Sequence, residues 1–308
     1  MDLLAVFLKW LQLAGLAALT GPAVIRLVWR QALTQDDSPA QAAAVSVLPR
    51  LSGLAIAGAL VLLGAAAAEL TLHVQQVGGW PVAWDYVTGT HIGRALGLRA
   101  AVALTALARL ALSGGQSLQR LKPAALVGAA GFSLVSHQAA VGWPATAGDF
   151  LHTVATAVWA GGLLGLSVLP WRGDRRVILP GAGGDRAWSQ LSVPVMSAFS
   201  RLATAAVLTL AATGAYAGMA NIASLQGLTG DVYGQTLLRK LALFALLLVA
   251  GALNHFWLVP HLRRSGDSGS PADALWLAAF LVRLEALLVL GVILLAALLS
   301  SLPPPAAA

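Results

Sequence analysis

The sequence has no cysteine and only three methionines, so neither a thiolate site nor a methionine-rich relay for soft metals can be assembled from it. Charge is also scarce. Only 10% of the side chains are charged while 58% are hydrophobic, which excludes an ordinary soluble domain. There is no phosphate-cradling glycine loop, no ATPase motif and no nucleophile paired with a base, so the chain is read as a non-enzyme.

What the sequence has in quantity is apolar runs of transmembrane length. Lipid offers the backbone no hydrogen-bond partners, so each run is expected to close its own bonds as a helix. Runs between charged or Gly/Pro-rich breaks predict an all-α polytopic membrane protein with eight helices near 4–28, 50–74, 94–113, 122–141, 149–171, 195–221, 236–261 and 275–302. The start, MDLLAVFLKWLQLAGLAALTG, has Asp2 in place of a basic n-region and reads as a retained first span.

The net charge of +7 comes from cations in or beside short loops and does not point to nucleic acid. Arg and Lys gather after spans one, three, five and seven, whereas the loops after spans four and six have none. By the positive-inside rule the basic loops are cytoplasmic and both termini lie on the outer, periplasmic side. Lys9, Arg94, Arg99, Arg239 and Lys240 lie at outer helix ends, where long cationic side chains are expected to snorkel.

An internal echo is present. TGTHIGRALGLR at 88–99 resembles TGDVYGQTLLRK at 229–240, and PRLSGLAIAG at 49–58 resembles SRLATAAVLT at 200–209. This suggests two tandem four-helix units, 1–145 and 146–308. With an even number of spans per unit, their pseudo-twofold axis would run along the membrane normal.

The polar residues within the spans are the functional candidates. His73, His91, His137 and His152 all fall on the predicted outer side, and His137 and His152 flank a Trp-Pro turn between adjacent antiparallel spans, each about one turn inside its helix. They are the expected metal ligands. Glu69 precedes His73 by four residues on the same helical face, as a ligand or as a holder of the imidazole's other nitrogen. Imidazole with carboxylate suits copper, zinc or nickel.

Trp159 lies two turns beyond His152 on nearly the same face, followed by Gly161 and Gly162, and Met219 offers a soft thioether. Asn254 and His255 are read as pathway residues, and His255 with His261, towards the cytoplasmic end of span seven, forms an exit site or caps the helix end. Arg201, Lys240, Arg283 and Glu285 are expected to neutralise one another within the bundle, with Glu285 compensating one of the cations.

Several of these residues carry a resemblance to the copper resistance protein D (CopD) family of bacterial inner-membrane proteins. They are His152 followed by Trp159-Ala160-Gly161-Gly162, then Phe199-Ser200-Arg201, Gly214, Tyr233-Gly234 with Lys240, Asn254, and Arg283-x-Glu285 leading to Pro303-Pro304. The resemblance spans roughly the second half of the chain. It implies an eight-span protein that moves copper from periplasm to cytoplasm beside a periplasmic copper-binding protein of the CopC type, with His152 as a ligand.

Two other readings compete with copper transport. In one, the outer histidines ligate haem b as a bis-histidine pair, His73 with His137 or His137 with His152, for electron transfer. In the other, the protein holds metal at the outer face for a partner without transporting it.

Overall fold

The computed structural model describes residues 2–32, 47–113, 118–136, 142–171, 184–221, 225–268 and 272–302. The protein is all-α and polytopic. Its long helices are α1 (Leu3–Ala32), α2 (Leu48–Val77), α4 (His91–Ser113), α6 (Trp143–Ser167), α7 (Gly184–Asn221), α9 (Val232–Leu253) and α11 (Ala272–Leu299). Shorter helices are α3 (Ala83–Gly89), α5 (Lys122–Ser133), α8 (Leu225–Gly230) and α10 (Val259–Ser268), and a π-helical segment, Asn254–Leu258, joins α9 to α10. Among the described residues, seven stretches are long and apolar enough to cross a bilayer. Of the fourth expected span, 122–141, the described part is α5, whose 12 residues end at Ser133 and which is not one of these seven, and the remainder of that run includes residues outside those described.

Local sequence sets the helix ends. Gly142 adopts φ +137°, a conformation that favours glycine, and Pro144 sits at the first turn of α6, where its missing N–H is no loss. This starts α6 at Trp143, earlier than the expected 149, and places His152 at its tenth residue instead of one turn in.

Both TGxxxG stretches do the same thing. A short helix, α3 or α8, passes through one non-helical residue, Thr90 or Asp231, into a long helix, α4 or α9. A β-carbon on Gly93 would stand 2.1 Å from the Tyr86 carbonyl oxygen, so that break closes only over glycine.

The core is centred on α1, which packs against α2, α5, α6, α7 and α11. Small residues let the backbones meet. A β-carbon on Gly15 would lie 2.9 Å from the Gly58 carbonyl oxygen of α2, and one on Gly58 would lie 2.5 Å from the Leu19 nitrogen of α1. On its other side α1 meets α6 at Gly21 and Gly161. Large apolar side chains such as Leu60, Leu104, Leu208, Val249 and Leu287 point outwards, as they do on a bundle whose solvent is hydrocarbon.

Candidate functional site

The polar side chains inside the bundle gather mainly at one level. Lys9 and Asp149 are the seventh residues of α1 and α6, Arg99 and Lys240 the ninth of α4 and α9, and Glu69 the ninth from the end of α2. Successive spans run antiparallel, so all five lie about 9 to 12 Å inside the same face of the bundle at 1.5 Å per residue.

On the first-half side of this layer the contacts are direct. Arg99 is buried at 4% exposure, donates from one terminal nitrogen to Gln12 Oε1 at 2.6 Å and from the other to the Gly131 carbonyl at 2.9 Å, and covers the Phe132 ring at 4.0 Å. It does not snorkel, because the bundle supplies these partners at depth. Accepting from Arg99 orients the Gln12 amide, whose Nε2 then donates to Glu69 Oε2 at 2.5 Å. The other carboxylate oxygen, Glu69 Oε1, faces His73 Nε2 at 3.8 Å. The expected Glu69–His73 pair is therefore present, extended by Gln12 and Arg99, which the sequence reading had not assigned to it.

Tyr86 of α3 stacks on the His73 ring with centroids 6.0 Å apart. Burial pushes its phenol above the ordinary tyrosine value, opposed by the Thr90 side chain and reinforced by the Glu69 carboxylate. His91, at the start of α4, is exposed.

On the second-half side, Asp149 interacts electrostatically with Lys9 and with Lys240, and Lys240 in turn with His152. His152 Nδ1 is 2.9 Å from Thr213 Oγ1 of α7. Thr213 Oγ1 is also 2.7 Å from the Thr209 carbonyl; a hydroxyl has a single proton, and when it goes to that carbonyl Nδ1–H is the donor in the contact with histidine. That arrangement leaves Nε2 as the acceptor nitrogen of the imidazole. Gly214 leaves room for the ring: a β-carbon there would be 3.7 Å from His152 Cε1.

The structure does not bring all the expected ligands to one point. His137 lies outside the described residues. His73 on α2 and His152 on α6 are carried by helices that pack on different sides of α1. No group of three or more His, Asp or Glu side chains that could hold a metal ion occurs among the described residues.

Met219 is 76% exposed and points away from the interior. Trp159 is buried edge-on against Phe244 of α9 at 5.5 Å, and the glycines after it serve packing, with Phe199 filling the space over Gly162.

Deeper in the second half, Glu285 is buried and accepts a hydrogen bond from Asn254 Nδ2, and among the described residues no salt bridge of an arginine or lysine to it is seen. The expected neutralisation by Arg201, Lys240 or Arg283 is replaced by this amide contact. The reason is helical geometry: residues two apart point about 200° apart around the axis, so Arg283 is exposed, with Nε 3.5 Å from the Ser167 carbonyl. Arg201 is also exposed. His255 is exposed and shares a 3.0 Å hydrogen bond with Ser200, and His261 stacks on Trp257 at 5.6 Å.

The fold and these polar clusters define a polytopic α-helical membrane protein with ionisable side chains held inside its bundle. Residues 193–299, from α7 to the end of α11, match the family model described as Copper resistance protein D. The chain is also 31% identical over 160 residues to the Copper transport protein CutJ of Bacillus subtilis (strain 168), a match covering 51% of this chain and 25% of that protein. The chain thus aligns with about a quarter of that relative's length. No solved structure matches.

Proposed function

We propose that this protein takes copper across the bacterial inner membrane from the periplasmic to the cytoplasmic side, with both termini periplasmic, and that it receives the ion from a periplasmic carrier of the CopC type. The observation that carries the reading is the contact of His152 Nδ1 with Thr213 Oγ1 at 2.9 Å. With Thr213 accepting from Nδ1, Nε2 is left as the acceptor, the arrangement in which a neutral imidazole takes a metal ion while its other nitrogen is held by an oxygen.

Glu69 and His73 form a second cation-attracting pair at the same face, and His91 and His137 complete the outer set. Asn254 and His255 line the way towards the cytoplasm. The match to the Copper resistance protein D model and the likeness to a copper transport protein favour copper as the cargo. The matching breaks before α4 and α9 support the division into units 1–145 and 146–308.

Copper analysis of the purified protein, paired with uptake into vesicles, tests the proposal. The expected result is about one copper per chain, accumulation inside vesicles, and loss of both in His137→Ala/His152→Ala. Unchanged stoichiometry in that double variant would overturn the assigned site. Binding without accumulation would make the protein a metal holder, and a Soret band in the preparation would make it a haem protein.

A further inference from the structure

Asn254 and Glu285 meet in the interior at 8% and 5% exposure. Asn254 Nδ2 donates to Glu285 Oε1, but the other half of the amide is unused: Asn254 Oδ1 is buried and accepts no hydrogen bond. A buried acceptor without a donor is costly, and so is a carboxylate without a cation inside a membrane bundle.

The neighbouring charges do not supply one. Arg283 is directed to the Ser167 carbonyl on α6 and His255 to Ser200 on α7, and among the described residues no salt bridge joins Glu285 to Arg201 or Lys240. Lys240 is fourteen residues, about 21 Å, back along α9.

One proton resolves both defects. We infer that Glu285 and Asn254 form a proton-binding site in which the protonated acid donates from Oε2 to Asn254 Oδ1 while Asn254 Nδ2 donates to Oε1, closing a ring of two hydrogen bonds. The ring places no net charge in the interior and satisfies both side chains. Its position is also informative, because Asn254 opens the π-helical segment Asn254–Leu258, and such wide turns concentrate where a helix carries function. Release of the proton removes the Oε2–H donor and returns Oδ1 to its orphaned state, so proton exchange is coupled to the packing of the π segment against α11. The site binds a proton, and does so whether or not the protein handles copper.

Infrared spectroscopy of the full chain in liposomes, free of added metal, tests this. At neutral pH the protein is expected to show a protonated-carboxyl C=O stretching band that shifts on deuterium exchange, disappears in Glu285→Gln and moves in Asn254→Leu. Glu285→Gln is expected to stay folded with an unchanged melting temperature, since its amide offers the same donor and acceptor as the acid. Identical spectra in wild type and Glu285→Gln, an unmoved band in Asn254→Leu, or unfolding of Glu285→Gln would each overturn the assignment. Failure of copper binding leaves this band untouched, so the two readings fail separately.

Discussion

Gly21 of α1 and Gly161 of α6 touch backbone to backbone: a β-carbon on Gly21 would stand 2.3 Å from the Gly161 carbonyl oxygen, and one on Gly161 would stand 2.4 Å from that of Ala17. Both obstacles are main chain and have no rotamer to escape into. A single methyl here therefore moves two helices. Gly161→Ala is expected to destabilise by about 1–3 kcal/mol, as overpacking of a close-packed interior does. Gly53→Ala, where open space awaits the methyl, is the control. Thermal unfolding in detergent compares them.

Arg99 ties α4 to α1 and α5 through Gln12 and the Gly131 carbonyl. Arg99→Met leaves the Gln12 amide and the Glu69 carboxylate without their anchor inside the bundle. A loss of about 3–5 kcal/mol is expected for removing one partner of a buried charged network. Arg99→Lys is expected to recover only part of this, because an ammonium lacks the planar fork that reaches two acceptors at once. Melting temperatures of the two variants decide the point.

The role of Thr213 is to hold the His152 ring. Thr213→Val keeps shape and removes the acceptor for Nδ1–H. If His152 is a copper ligand, affinity is expected to fall about 10–100-fold, the usual effect of losing the oxygen behind a ligating histidine. Metal titration of the folded variant reads this, and an unchanged affinity would place the ion elsewhere.

Tyr86 reports on the Glu69–His73 pair. Burial and the nearby carboxylate both disfavour the phenolate, so its ionisation is expected above the ordinary value of about 10. Glu69→Gln removes the repulsion and is expected to bring the titration back down. Ultraviolet absorbance in a background of Tyr216→Phe and Tyr233→Phe follows Tyr86 alone.

Much of this architecture was legible in the sequence because bilayer thickness imposes a length that composition reveals directly. The repeated TGxxxG stretches were legible as breaks, and both break a helix. Glu69 and His73 were legible because four residues make one turn. Arg99 was misread because a cation near a helix end has two outcomes, and the choice is made by Gln12, 87 residues earlier. A signal did exist: Gln12 is an amide inside an apolar run, one turn after Lys9. Glu285 was assigned the wrong partner for a similar reason, since the facing helix that brings Asn254 is set by packing. The π segment, which packs against α7 and α11, left no sequence pattern to find.

Within this chain α1 is synthesised before every helix that it packs against. Until α2, α4 and α6 emerge, Lys9 and Gln12 have none of the neighbours that they face in the finished bundle. Biogenesis therefore passes through an interval in which this helix stands partly solvated by whatever assists insertion, and α11, the last of the described helices to pack on it, is what completes its enclosure. A ribosome stalled between α5 and α6 would hold a nascent protein whose centre is still open on one side, the stage at which quality-control factors have their longest access to it.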